Sequence, residues 1–192
     1  MIIVLSGPSG AGKDSVRDLV LEWAPAIHRV VTATTRPPRP GETDGHDYHF
    51  LTEAEFGRRL AEGGFVEHAF VYDHLNGVPR DEIEAPLAAG KDVLARVDVQ
   101  GAATIKRLFP DAVLIFVAPP SVEETARRMR ARDADSDEAQ KRRLETAARE
   151  MEAAAGFDHV VVNETGRLEE TARRVLEIVA AEKRKRGGRP GA

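Results

Sequence analysis

A chain of 192 residues, 42% of them hydrophobic, is long enough for one compact domain with a real core, or for a core carrying small inserted lobes. A formal charge of −4 gives no global reason to expect a nucleic-acid partner, and the absence of cysteine excludes disulfides and thiolate-held metals while suiting a reducing compartment. No window approaches the roughly 18 apolar residues of a membrane span, and the first apolar run is too short, and lacks the basic leader, for a signal peptide. The expectation is a soluble cytoplasmic protein with no membrane partner, monomeric or homodimeric, whose anion sites are local.

In chain order, the apolar run Ile2 to Ser6 reads as a strand and 14–23 as a helix. From Thr34 to Arg80 the rhythm breaks into the turn-rich pieces "RPPRPGE", "TDG", "EGG" and "NGVP", which read as an inserted lobe, bounded at 32–80. Further strand-like runs fall at Val93 to Val99, Ala112 to Pro119 and in "HVVVN", which ends at Asn163. All four runs are near-continuous rather than alternating, as in strands covered on both faces, and helical spacing follows at 100–108, 122–130, 138–154 and 168–184. This is the rhythm of an α/β protein with a parallel sheet, its core formed by 1–31, 81–129 and 140–182. Ser121 with Glu124 three residues on reads as a capping box. The stretch 130–139, "RARDADSDEA", mixes arginines with small and acidic residues, as a mobile lid does, and the basic tail 183–192 reads as a solvated helix end.

The turn after the first strand carries the chemistry. "GPSGAGK", Gly7, Pro8, Ser9, Gly10, Ala11, Gly12 and Lys13, fits G-x-x-x-x-G-K between a strand and a helix. Glycines let the backbone turn N–H groups inward around phosphate oxygens, the helix adds its positive end, and Lys13 supplies a point charge for the β- and γ-phosphates. Where the pattern wants a hydroxyl for magnesium, the chain has Asp14, with Ser15 next to it. Asp14 either meets the metal, repels the nucleotide, or sits at the helix start as a dipole-complementing acid facing solvent.

A second constellation points to a second phosphorylated substrate. In "TTRPPRPGETDGHDYHF", Arg36 and Arg39 flank prolines that stiffen the chain, and Tyr48 follows. Two guanidinium forks and a phenol can hold one phosphate through charge-assisted hydrogen bonds. His46 and His49 lack a third ligand at suitable spacing and read as loop residues rather than a metal pair.

"GPSGAGK", "TTRPPRPGETDGHDYHF", "FVEHA", "VDVQGA", "LIFVAPPS" and "VVVN", in this order and spacing, resemble the guanylate kinase family from Ile3 to about Ala180. The resemblance implies a P-loop core around a five-stranded parallel sheet, a GMP-binding lobe and a lid. It also implies transfer of the γ-phosphoryl of MgATP to GMP. By position, Thr32, Arg36, Arg39 and Tyr48 would surround the GMP phosphate, and Glu67 would accept from the N1 and N2 edge of guanine. Asn76, Val78 and Asp98 would complete the GMP site. On the donor side the resemblance assigns Lys13 to the phosphates, Arg128, Arg132 and Arg143 to the lid and its flanks, and Asn163 to the adenine pocket. It places Mg2+ near Ser15 and Asp98, directly or through water, although Asp98 also reads as an N-cap. The chain departs from the family pattern at Asp14, at Asn76 and Val78 (usually Tyr, then Ser or Thr), and at Arg96, usually an acid. Two alternatives stand beside this reading: a ribose 1,5-bisphosphate kinase, whose members share the Asp after the loop lysine, and a non-catalytic guanylate-kinase-like module that holds peptides.

Overall fold

The computed structural model describes residues 1–71, 73–130, 146 and 149–187. Every residue of its first strand, β1 (Ile2–Ser6), is buried, because the strand is covered on both faces. Ile3 and Leu5 belong to one apolar cluster with Val16 and Val20 of α1 (Lys13–Trp23) and Val175 and Val179 of the C-terminal helix α6 (Leu168–Gly187). Ile2 and Val4 belong to another, with Ile83 of α3 (Asp81–Ala88) and Ala102 and Ile105 of α4 (Val99–Leu108). Burial of each of these valine, leucine and isoleucine side chains contributes about 1.5–3 kcal/mol, so one short strand anchors two helical layers.

β1 is the central strand of a five-stranded parallel sheet. The order is β2 (His28–Arg29), β7 (Val93–Arg96), β1, β8 (Val113–Ala118) and β9 (His159–Val162). Ile3 stands opposite Leu94 on one side and Val113 on the other. In such sheets ligands bind beyond the carboxyl ends of the strands. Here β1 runs out at Ser6 into the glycine-rich loop, and β7 runs out at Arg96, two residues before Asp98.

A second sheet, of four strands, interrupts the first. Its order is β4 (His49–Phe50), β3 (Ala33–Thr34), β6 (His74–Pro79) and β5 (Phe65–Val71), with α2 (Glu53–Ala61) alongside. Thr52 caps α2 by accepting from Glu55 N at 3.2 Å. The small core of this lobe is built on Phe56 and Phe65, whose rings stack 4.3 Å apart, together with Ala33, Leu51, Leu60 and Leu75. Val66 and Val78 are buried in the cluster of the main sheet, so the lobe is rooted in the core rather than tethered to it.

The expected strands appear; the runs 112–119 and "HVVVN" are trimmed to Val113–Ala118 and His159–Val162, and the run 93–99 ends earlier still, at Arg96, because Asp98 turns the chain and caps α4. Helix α5 occupies Val122–Arg130 as expected, and Ser121 Oγ accepts from Glu124 N at 3.1 Å. The other half of that capping box is not formed, since the Glu124 carboxylate is taken by Arg127, Arg128 and Thr165. The last helix continues through Gly187, so the first part of the basic tail is helical. Of the helix expected at 138–154, 149–152 are helical and Ala153–Gly156 tighten into a 3-10 turn. Thr146 is helical too; the other residues of that stretch, lid residues 131–139 and the final residues 188–192 lie outside the described residues. Four elements carry no sequence signal of their own: β2, β3 and β4 are only two residues long, and Pro86 obscures α3. Among the described residues no helix is long and apolar enough to cross a membrane.

Candidate active site

The loop between β1 and α1 is drawn tight by close approach. Gly7 has φ +137°, and a Cβ there would collide with the Val117 carbonyl of β8. Gly12 has φ +86°, and a Cβ there would meet the Asn163 amide. Both conformations belong to glycine. Within this loop Lys13 Nζ donates to Gly7 O at 2.5 Å and Pro8 O at 2.9 Å, folded back against the backbone that it follows. Burial, then the neighbouring Arg96, lowers its pKa to about 8. Ser9 N, one of the donors of the loop, points to Glu150 Oε2 at 3.4 Å. Burial holds that carboxyl above its usual range, against the opposing pull of Lys13.

Two cavities flank the loop. One, of about 440 Å³, is lined by Gly10, Gly12, Ser15, Arg128, Asn163 and Thr165. Asn163 is buried there, and its amide is spent on the protein: Nδ2 donates to Ala11 O at 2.8 Å and Oδ1 accepts from Thr171 Oγ1 at 3.2 Å. It clamps the loop rather than presenting a free amide to a base. Arg128 is held by Glu124 and donates to Asn163 O and Thr165 Oγ1, which places it against the 163–165 turn rather than over Lys13.

The other cavity, of about 640 Å³, gathers Thr32, Arg36, Arg39, Tyr48, Glu67, Asn76 and Asp98, with Asp14 and Arg96 at its wall. Glu42 organises the arginine loop: Arg36 Nη2 donates to its Oε1 at 2.8 Å and Arg39 N to its Oε2 at 2.7 Å. The bond from Arg36, more than any other influence, holds the Glu42 carboxyl below its usual range. The Arg36 guanidinium lies 5.5 Å from the Tyr48 ring centroid. Across the cavity stands Glu67, whose pKa is pushed up to about 7 by burial and by the charge of Asp98. Asp98 Oδ1 accepts from Gly101 N at 2.7 Å, the N-cap role, while the residue still lines the cavity. Val78 does not line it. Although simple alternation would set it on the same side as Asn76, its side chain is fully buried in the cluster that holds Val66, opposite Glu67 where the β5–β6 register shifts, while Asn76 and Gly77 line the cavity.

The family model described as guanylate kinase matches residues 1–182. The chain belongs to the guanylate kinase family. A guanylate kinase of Chlorobaculum tepidum is 46% identical over 93% of this chain and 93% of its own. One of Thermus thermophilus is 46% identical over 99% of this chain and 84% of its own. A crystal structure of guanylate kinase from Anaplasma phagocytophilum superimposes with a TM-score of 0.78 at 36% identity, covering 95% of this chain and 85% of that one. The α/β core with its five-stranded parallel sheet is thus the fold of this family.

Two departures from the usual guanylate kinase pattern meet in space. Asp14 Oδ1 lies 3.0 Å from Arg96 Nε and 3.2 Å from Arg17 Nη1, so Asp14 is neither a lone acid in solvent nor aimed solely at the nucleotide. Arg96 Nη2 in turn donates to Tyr48 Oη at 2.9 Å. For a metal, no three His, Cys, Asp or Glu side chains converge on one point among the described residues. Ser15 and Asp98 offer separate oxygen donors beside Lys13, which fits a magnesium ion that arrives on nucleotide phosphates and keeps most of its water.

Arg132 and Arg143 lie outside the described residues. Sequence reasoning passed over Glu42, Glu150 and Arg29, the last of which also lines the larger cavity. Glu42 had a signal, three residues after Arg39 in the stiff proline loop. Glu150 and Arg29 had none, since each meets its neighbours only through the fold.

Proposed function

We propose that the chain transfers the γ-phosphoryl group of ATP to GMP, giving ADP and GDP, in the cytoplasm. The observation that carries this reading is that one cavity beside Lys13 holds both an arginine–tyrosine cluster and the Glu67–Asp98 pair of carboxylates. Phosphate is the partner for the first, and a base edge rich in N–H donors for the second. Guanine presents N1–H and the N2 amine side by side. Adenine presents an acceptor at N1, which would leave a buried carboxylate unpaired.

In this reading 32–80 is the GMP-binding lobe and 130–139 the lid, with residues 183–192 outside the catalytic unit. Arg36, Arg39, Tyr48 and Thr32 hold the GMP phosphate, Glu67 reads the base, and Asn76 and Asp98 line the same site. The loop from Gly7 to Ser15 holds the triphosphate. Lys13 exchanges its two backbone carbonyls for phosphate oxygens, and Glu150 gives up Ser9 N to the nucleotide. Ser15 and Asp98 would hold Mg2+, whose charge offsets the negative charge gathered on the β- and γ-phosphates. No general base is required, because the attacking oxygen of GMP is already ionised at neutral pH. That oxygen forms the new bond to the γ-phosphorus as the bond to the β-bridging oxygen breaks, and ADP leaves with the electron pair. The protein contributes alignment, charge neutralisation and exclusion of water. Arg128, Arg132 and Arg143 close over the transferring group, Arg128 by leaving Glu124.

The test is ADP release with MgATP against GMP, dGMP, AMP, CMP, UMP and ribose 1,5-bisphosphate. Turnover with GMP and little with AMP is expected. Turnover with the sugar bisphosphate alone would replace the reading, and silence with every acceptor would favour a binding module.

A further inference from the structure

Arg96 stands at the carboxyl end of β7 and reaches across the acceptor cavity to the lobe, where its Nη2 donates to Tyr48 Oη at 2.9 Å. Its guanidinium carbon lies 5.7 Å from the centroid of the same Tyr48 ring that Arg36 approaches to 5.5 Å. Two like charges therefore converge on one phenol in a partly buried cleft, an arrangement that costs free energy unless an anion lies between them. Each has an acid behind it: Glu42 for Arg36 at 2.8 Å, and Asp14 for Arg96 at 3.0 Å. Those acids hold the guanidiniums in place without covering the face they share. Arg96 Nε meets Asp14 as an ion pair without hydrogen-bond alignment, and among the described residues Nη1 has no hydrogen-bond acceptor. The side chain thus keeps donors for a ligand.

We propose that Arg96 is a third arginine of the acceptor-phosphate site, with Asp14 as the counter-ion that positions it. The inference rests on the reading of Arg36, Arg39 and Tyr48 as that site. It gives Asp14 a task other than metal binding, and it explains why two departures from the family pattern occur together. An acid at 96 would repel the acceptor phosphate from the place where Arg96 attracts it. A hydroxyl at 14 would leave Arg96 without the partner that fixes its direction. Arg96 also adds a polar group to a cavity to which Val78, turned into the core, supplies none.

The experiment is calorimetric titration of GMP, and separately of a non-hydrolysable ATP analogue with Mg2+. The proteins are the wild type, Arg96→Met, Arg96→Lys, Asp14→Asn, the double variant Asp14→Asn/Arg96→Met, and Arg36→Met. A charge-assisted phosphate contact predicts that Arg96→Met weakens GMP about 10- to 100-fold. The ATP analogue should stay within about twofold, which a merely structural role of Arg96 would not allow. Arg96→Lys should recover part of the loss, and Asp14→Asn should weaken GMP in the wild type but add little to Arg96→Met. Unchanged GMP affinity in Arg96→Met, with a loss in Arg36→Met, would overturn the proposal alone. Unchanged affinity in both would overturn the phosphate-site reading beneath it. Additive losses for Asp14→Asn and Arg96→Met would remove Asp14 as the positioning group. Where Arg96→Met fails to fold, Arg96→Gln carries the same expectation and the same refutation.

Discussion

Asn163 Nδ2 donates to the Ala11 carbonyl at 2.8 Å, which fastens the end of β9 to the middle of the phosphate loop. Because Asn163 Oδ1 also accepts from Thr171 Oγ1, one buried amide joins the loop to α6. Removing it in Asn163→Ala strands a buried carbonyl, which costs about 1–3 kcal/mol. The thermal midpoint should fall by several degrees and the KM for ATP should rise, with the KM for GMP near its original value. Thermal unfolding and steady-state kinetics check this, and an unchanged KM for ATP would show that the clamp does not shape the donor site.

The two tight glycines should differ in their tolerance of a methyl group. In Gly7→Ala the added carbon meets the Val117 backbone of an adjacent buried strand, which has nowhere to go. In Gly12→Ala it meets the end of the Asn163 side chain, which can give way, though at the cost of its bond to Ala11 O. Gly7→Ala should therefore cost about 3 kcal/mol or more, the larger loss of the pair, by chemical denaturation. The reverse order would mean that the loop is looser than its close contacts imply.

In the proposed reading, Glu67 couples base recognition to pH. Burial and then Asp98 raise its pKa to about 7 from 4.5, and only the ionised carboxylate accepts from both guanine N–H groups. The KM for GMP should rise as pH falls below about 7, with the KM for ATP following a different profile. The sign for stability is opposite. The folded state holds this proton more tightly than the unfolded chain, so stability falls as pH rises from 4.5 through about 7, by at most about 3 kcal/mol. Glu67→Gln should thus be more stable than the wild type at pH 8 while its KM for GMP rises about 100-fold. A variant no more stable at pH 8, or one that still prefers GMP to AMP, would contradict this account.

Lys13 titrates on the other side of neutrality. Burial and the nearby Arg96 lower its pKa to about 8, so the empty site loses this charge as pH rises past that value. ATP affinity should fall above about pH 8, measured by titration of the free enzyme. Lys13→Met should remove that pH dependence and nearly all transfer, leaving circular dichroism unchanged. A wild-type affinity that stays flat to pH 10 would show that Lys13 is not the charge the triphosphate meets.

What the sequence revealed was local. Ile2 to Ser6 declared a doubly covered strand because every residue in it is apolar or small, and Gly7 to Lys13 declared a phosphate loop because its spacing is the chemistry. That Arg36, Arg39, Tyr48 and Glu67 gather at one cavity was legible through motifs that stand together in the chain. Val78 misled because a spacing of two from Asn76 predicts a shared side of β6, whereas the register shift between Phe65 and Glu67, opposite Val78, breaks that regularity and Val78 is fully buried. Glu150 was invisible because only the fold brings it to Ser9. Asp14 and Arg96 were each legible as a departure, but their pairing depends on Leu5 standing opposite Arg96 in the parallel register of β1 and β7, which no local pattern records.

The most direct test of the central claim is a crystal structure of the chain with GMP bound. The account predicts the GMP phosphate within hydrogen-bond reach of Arg36, Arg39 and Tyr48, and the guanine N1 and N2 on the Glu67 carboxylate. GMP seated with its base away from Glu67, or its phosphate on the loop beside Lys13 instead, would contradict it.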